Sequence, residues 1–497
     1  MIWLCCKTKE EDFISNTAEQ QSSTRRSDNS AESVYYDAVA NLDDRQSMVA
    51  SSIFYSAVGA PAAATHGNRS RRSSSSTHGN RRSSSVTLSL LFRSTRLRQR
   101  FQENYPFPGH LTDEQLQICL DFRKRISDVI QEEDGVDNAT RREIVYAFNK
   151  IENEAYSICR YLRARDFDID ATLQMIDGYM PRWKEGREHN FYPDFYAVSN
   201  HRGDESALLS QYPLVIGGLA KNGCLILYFT VKQLSLDGIE CVMNLDRIGP
   251  YMWFLVLQKY VNEVQKRKKD DQAVNIRPVQ VTVVVDLDGL QILTLRRALP
   301  ALQTAFGILS VFPEFLFNVV ICNVPRFFNA FWRIIKTFLD PATANKFELY
   351  SNRSAGQARL LEIIHPSELA KNFGGNGLST DELVQPVEGC SRQIVNLVKV
   401  IPGGRGECTV SKSENENVAI NIYTSCTCDA TFSIDSSTQQ YKLQRKDNEP
   451  KDGPYFRDKV ASLGGKGGHY RATIEMAKGD SSSHHGYFLI VALVTEN

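Results

Sequence analysis

A β-branched run, residues 279–285, ends on Asp286-Leu287-Asp288-Gly289, and these two carboxylates are the residues best placed to do chemistry. So short a valine-rich run reads as a strand buried on both faces, the condition of a parallel sheet. A carboxylate at the C-terminal end of such a strand stands where open α/β sheets bind ligands. Asp286 there is a candidate nucleophile, with Asp288 as its acid/base partner. The rest of the chain does not complete that chemistry. No later acidic pair follows a strand to hold magnesium, and no Gly-x-Ser-x-Gly elbow or kinase motif set is present. Cys426-Thr427-Cys428, with Cys390 and Cys408, has a single intervening residue, a poor spacing for structural zinc. The glycine-rich 463–468 lacks the Gly-Lys-Ser/Thr ending of a phosphate cradle and reads as a turn. The expectation is a chain with no catalytic residue, metal or cofactor.

The elements around the valine run point to a cavity instead. A helix over 295–309 and a second buried strand over 317–324 complete a strand–helix–strand unit, whose crossover is right-handed in nearly all proteins. Next comes a helix in which Phe327, Phe331, Ile334, Ile335 and Phe338 recur at helical spacing. Arg326, Asn329, Arg333 and Lys336 fall on its other side, and Asp340-Pro341 stops it. Such a helix over a parallel sheet is the expected lid of an apolar cavity, with Phe331 and Phe338 facing inward. Gln291 and Thr294 are the expected polar groups near the cavity floor. Upstream, Thr112 and Gln115 form a capping-box signature, followed by a stripe of Leu116, Leu120, Ile126 and Ile130. A second helix carries Ile158, Tyr161 and Leu162. A third, capped by Asp168 or Asp170, turns Leu173, Ile176, Met180 and Trp183 inward until Pro181 kinks or ends it. A strand over 224–229 and one long helix over 245–269 precede the valine run.

In this order and spacing the chain resembles the CRAL-TRIO lipid-binding domain of phosphatidylinositol- and tocopherol-transfer proteins. The residues that carry the resemblance are Asp286 to Gly289, Pro313-Glu314, Val324-Pro325, Phe338-Leu339-Asp340-Pro341, Thr343, Lys346 and Phe373-Gly374-Gly375, preceded by Arg160 to Asp168. The resemblance implies an α/β fold with a helical module over 105–190 and a lipid-binding domain over 191–376. It also implies that Arg165, Thr343 and Lys346 hold a lipid head group. Asp166 stands where the family carries a basic residue. Thr343 and Lys346, three residues apart, share a face if the segment after Pro341 is helical. VVVDLDGL also resembles the opening motif of haloacid-dehalogenase-type phosphatases, although Leu290 replaces the usual Thr or Val. That phosphatase, or a ligand-free interaction scaffold, is the alternative to binding, transfer or presentation of a phospholipid or a tocopherol-like lipid.

The flanks differ in character. Residues 1–104 are rich in Ser, Asn, Gln and Arg, repeat Thr-His-Gly-Asn-Arg at 65 and 77, and hold no acidic residue over 66–100. Such a segment cannot bury enough apolar surface to offset its chain entropy, so a disordered tail is expected. Its arginine pairs suit an anionic membrane surface, at roughly 1 kcal/mol per basic residue, and Cys5-Cys6 are candidate acylation sites. At the other end, short alternating runs over 394–401, 418–423, 430–434, 469–474 and 487–494 give an all-β signal. Behind a CRAL-TRIO-like segment, the region 390–497 resembles a GOLD domain, a module expected to recruit a protein partner. Lys+Arg and Asp+Glu both number 58, so global charge points to no nucleic acid. The opening apolar stretch is too short for a signal peptide. A cytoplasmic protein, peripheral on endomembranes, in contact with a lipid ligand and transiently with a membrane, is the expectation.

Overall fold

The structure is a computed structural model that describes residues 110–127, 137–200, 203–269, 277, 279–384, 387–426, 429–435, 440–443, 454–478 and 485–496. The expected tail, its membrane and acylation readings and Ile130 lie outside the described residues. Four helices lead: α1 (Asp113–Ser127), α2 (Asn138–Val145), α3 (Glu154–Arg163) and α4 (Ile169–Glu188). The Thr112–Gln115 capping box forms reciprocally: the Thr112 N–H donates to Gln115 Oε1 at 3.1 Å and the Gln115 N–H to Thr112 Oγ1 at 3.2 Å. Asp168 caps α4, and the helix runs through Pro181 rather than ending there. Trp183 beyond it packs edge-on against Trp253, with ring centroids 5.7 Å apart, a contact that keeps the last turns docked on the core.

Charge holds this module together. Arg160, 2% exposed, pairs with the buried Glu152 at 2.9 Å and donates to the Pro313 carbonyl at 3.2 Å. Asp137 caps α2 by accepting the Thr140 N–H at 2.9 Å, and it reaches α4 through Lys184 at 2.8 Å. The Lys184 contact, aided by the Thr140 N–H, lowers the Asp137 carboxyl from 3.8 to about 2. A folded-state value below the unfolded one means that this contribution is complete above 3.8 and is lost as pH falls through about 2. We expect amide protection in α2 to fall on acidification through that window, and Asp137→Asn to flatten the response. The cap itself contributes about 1 kcal/mol.

The central sheet runs β1 (Leu214–Leu219), β2 (Leu225–Thr230), β3 (Val281–Asp286), β4 (Leu316–Cys322) and β5 (Phe347–Leu349). Its spatial order is the chain order, antiparallel between β1 and β2 and parallel thereafter. Between β2 and β3 lie α5 (Leu236–Val242), α6 (Ile248–Phe254), a π-helical segment (Leu255–Tyr260) and α7 (Val261–Lys269). The long helix expected over 245–269 is thus interrupted by a π segment. After β3 comes α8 (Ile292–Leu309); after β4, α9 (Phe328–Ile335) and the single turn α10 (Pro341–Ala344); after β5, α11 (Arg353–Ile363). Parallel register places Leu225 beside Val281, Leu227 beside Val283 and Phe229 beside Val285, so one face of the sheet is continuous hydrocarbon. The other face, with Ile226, Tyr228, Val284 and Val320, packs under α11 and Phe373. Gly356 makes that packing close, since a Cβ there would stand 2.7 Å from Cys322 Sγ.

The C-terminal region forms two antiparallel four-stranded sheets. β6 (Arg392–Val400), β7 (Arg405–Lys412), β8 (Glu416–Thr424), β9 (Ala430–Ile434), β10 (Gln440–Leu443), β11 (Tyr455–Leu463), β12 (Gly468–Met476) and β13 (Gly486–Glu496) pair as β10-β9-β12-β7 and β11-β8-β13-β6. Val410, Ile420, Phe432, Ile474 and Phe488 fill the space between the sheets. The second sheet docks on the α/β region: Tyr423, Leu489 and Val491 belong to the main core, and Cys241 of α5 donates to the Tyr487 carbonyl at 3.3 Å. No helix among the described residues is long and apolar enough to cross a membrane.

Candidate lipid site

The cavity face of the sheet is covered by α5, the π segment, α8 and α9, which enclose a cavity of about 240 Å³. Leu227, Val283 and Ile321 form its floor, and Leu236, Ile239, Val256 and Leu302 its walls. Among the described residues no charged side chain lines it. The π segment contributes Leu255, Val256 and Tyr260. An extra residue in a helical turn shifts which side chains face inward, and such segments recur at functional sites.

The helix expected as the lid is α9, turned differently from expectation. Phe328, Trp332 and Ile335 line the cavity. Phe327 and Phe331 are half-buried against the same core, and Ile334 is exposed. Phe331 therefore does not face the cavity, and Phe338, in a 3-10 turn beyond α9, lies outside it. The reason is packing: the Trp332 ring meets Phe347 of β5 at a tilt, centroids 4.9 Å apart, and so turns the Phe328–Trp332–Ile335 stripe inward. Thr294 lines the cavity, whereas Gln291 precedes the first turn of α8 with its side chain in solvent.

A second cavity of about 600 Å³, lined by both charged and apolar side chains, lies between the helical module and the far end of α9. Phe306, Leu309, Phe315 and Leu316 line both cavities, so the two share a wall. Arg165, distant in the chain from Thr343 and Lys346, lines this vestibule together with them. Each is set by its local fold. Asp166 and Phe167 adopt left-handed backbone conformations, φ 51° and 64°, which turn the chain sharply between α3 and α4 and leave Arg165 exposed at the corner. The Arg165 guanidinium donates to the Ala164 carbonyl at 2.7 Å and forms no ion pair with a described carboxylate. Asp340 caps α10, accepting the Thr343 N–H at 2.8 Å and its hydroxyl at 2.6 Å. Lys346 is half-buried and donates to the Leu316 carbonyl at 2.6 Å. It does not share a helix face with Thr343, because Asn345 already ends α10 after one turn.

Sequence reasoning missed Tyr179 and Glu314, which complete this wall. Burial pushes the Tyr179 phenol up; Arg165 opposes the shift and Asp340 adds to it, so both charges bear on one hydroxyl. Glu314, at φ 61°, pairs with Arg163 at 2.6 Å. Asp286 has a different employment: its Oδ1 accepts the Asp288 N–H at 2.9 Å and the Asn323 side-chain amide at 2.6 Å, tying the ends of β3 and β4 together.

Residues 209–375 match the family model of the CRAL/TRIO domain. The chain is 25% identical over 332 residues to the phosphatidylinositol/phosphatidylcholine transfer protein SFH12 of Arabidopsis thaliana, covering 62% of this chain and 58% of that one. It is 24% identical over 246 residues to the SEC14 cytosolic factor of Candida glabrata, covering 49% and 78%. Among solved structures, Sfh5 aligns with 17% identity and a TM-score of 0.35 over 49% of this chain and 82% of that one. The chain spans 58, 37 and 39% of the length of three Arabidopsis relatives that it matches.

Proposed function

We propose, from the premise that residues 209–375 form a CRAL/TRIO domain, that this chain binds a phospholipid and carries or presents it between membranes without catalysing a reaction on it. The observation that supports this reading is the pair of adjoining cavities, one apolar and one with charged groups in its wall, sharing Phe306, Leu309, Phe315 and Leu316. A phospholipid divides the same way, into acyl chains and a charged head group. The acyl part carries on the order of 30 methylenes at about 0.8 kcal/mol each, which closes water to it by more than 20 kcal/mol. At about 240 Å³ the dry cavity lies below the usual range of ligand pockets, ~300–1,000 Å³. Loading therefore requires α9 to move outward.

That movement belongs at a membrane surface. Leu293 at the start of α8 is 70% exposed, and Ile334 on the outer side of the lid 43%. Exposed Arg326, Arg333 and Lys336 accompany Ile334, a mixture of apolar and basic groups suited to an anionic interface. On this reading residues 105–190 and 191–376 form the lipid-binding unit of a cytoplasmic, peripherally associating protein, and the GOLD-like region from 390 onward engages a protein partner.

The head-group assignment is tested by transfer of fluorescent phosphatidylinositol between donor and acceptor vesicles. Replacing both Arg165 and Lys346 by Ala should cut transfer by on the order of tenfold or more, since charged hydrogen bonds contribute about 1.5–3 kcal/mol each. Undiminished transfer would refute the site and favour a neutral lipid.

A further inference from the structure

Two helices of the leading module face each other with their residues in opposite order. Along α1 the facing positions are Gln115, Cys119 and Arg123; along α3 they are Arg163, Cys159 and Glu154. Arg123 and Glu154 pair at 2.8 Å and close one end. In the middle, Cys119 Sγ and Cys159 Sγ are in contact at 3.8 Å, the two residues only 2% and 1% exposed. At the other end Gln115 and Arg163 line the vestibule of about 600 Å³. Residues four apart in a helix are one turn apart, so the thiols stand about 5.4 Å behind the vestibule wall. The two sulfurs are not equivalent. A hydrogen bond from Cys159, aided by the Arg163 charge, holds the Cys119 thiol below its ordinary value against the effect of burial. The same hydrogen bond, together with burial, pushes the Cys159 thiol up. By contrast, burial pushes Cys224 up to about 12 and Cys408 up to about 11.

We infer that Cys119 and Cys159 form an oxidation site for hydrogen peroxide, at which a reversible disulfide joins α1 to α3. The inference goes beyond the lipid reading and does not depend on it. Sulfurs this enclosed are closed to a bulky disulfide oxidant. Peroxide is little larger than water and has one helical turn to travel from the vestibule. The thiolate is the attacking species, which makes Cys119 the first to react. Its sulfur attacks one peroxide oxygen and the O–O bond breaks. Hydroxide leaves and becomes water with the proton that Cys119 gave up, and Cys119 is left as a sulfenic acid. The Cys159 sulfur then attacks the sulfenic sulfur: the S–S bond forms, the S–O bond breaks, and the Cys159 proton leaves with the hydroxyl as a second water. Two thiols have thereby passed two electrons to one peroxide. The sulfurs, already in contact, close to the disulfide length of about 2 Å. In a reducing compartment the bond is transient, opened again by thiol–disulfide exchange.

The experiment uses the full chain, reduced, freed of reductant and exposed to hydrogen peroxide at neutral pH without denaturant. Remaining thiols are blocked with iodoacetamide and the digest is read by mass spectrometry. The expected product is a peptide pair joined through Cys119 and Cys159, lighter by two hydrogens than the free peptides and separated by dithiothreitol. In the oxidised chain amide exchange in α1 should slow by roughly tenfold or more, because the bond closes the 119–159 loop. Cys159→Ser removes the second attacking thiol and should leave Cys119 as a sulfenic acid, captured as a dimedone adduct. Cys119→Ser should give neither the joined peptides nor an adduct at Cys159. Recovery of Cys119 and Cys159 as free thiols, or oxidised without a bond between them, would overturn the inference on the wild-type chain alone, whether or not either variant folds.

Discussion

Trp332→Asp should abolish lipid loading. Trp332 lines the apolar cavity, meets Phe347 at a tilt with centroids 4.9 Å apart and stacks on Phe328 at 6.4 Å. Replacing it loses the ring's packing, about 3–5 kcal/mol for a buried aromatic. It also puts a carboxylate in a wall where neither a methylene nor a partner can solvate it. Both effects act on the lid, so the expected signature is loss of vesicle-to-vesicle transfer with amide protection in the central sheet retained. Trp332→Leu keeps the wall apolar and should retain most of the transfer. By contrast Phe331→Asp, on the half-buried flank, should be the milder substitution. If Phe331→Asp proves the more damaging of the two, the lid is turned the other way.

The second large effect belongs to the buried ion pair. Glu152→Ala leaves Arg160, 2% exposed, charged and without its carboxylate, at a cost of about 3–5 kcal/mol. Hydrogen exchange in α3 should accelerate accordingly. Because Arg160 also donates to the Pro313 carbonyl, next to Glu314 in the vestibule wall, the proposed head-group site should loosen with the helix. Replacing both partners with apolar residues of similar volume, Glu152→Leu with Arg160→Met, should recover most of the loss, since the penalty comes from the orphaned charge rather than from the missing pair.

The parts of this fold that were legible in the sequence are those in which one physical demand dominates. The valine run had to be a strand buried on both faces, and α8 and β4 completed its parallel unit. The helix over the cavity was equally plain, but its rotation was not. Phe327-Phe328, Phe331-Trp332 and Ile334-Ile335 are apolar doublets, so two stripes one residue apart satisfy helical spacing equally well. Only the position of Phe347, in a three-residue strand too short to be seen, decides between them. β1 was missed because Gly217 and Gly218 interrupt its hydrophobic run, and β7 because its alternation is carried by charged and small residues. Arg165, Thr343 and Lys346 were named through a family resemblance. Their meeting in one vestibule depends on a left-handed turn at Asp166 and Phe167 that no local pattern announces, since phenylalanine rarely adopts it.

The most direct measurement is organic-solvent extraction of the purified full chain, with the extract identified and quantified by mass spectrometry. If the apolar cavity opens to take acyl chains, as proposed, the chain should hold its ligand through purification, and the extract should contain a phospholipid at close to one molecule per chain, displaced in the Trp332→Asp variant. A wild-type chain that yields no stoichiometric lipid, and acquires none after incubation with phosphatidylinositol vesicles, would contradict the account: the cavity would then be a filled core and the chain a scaffold.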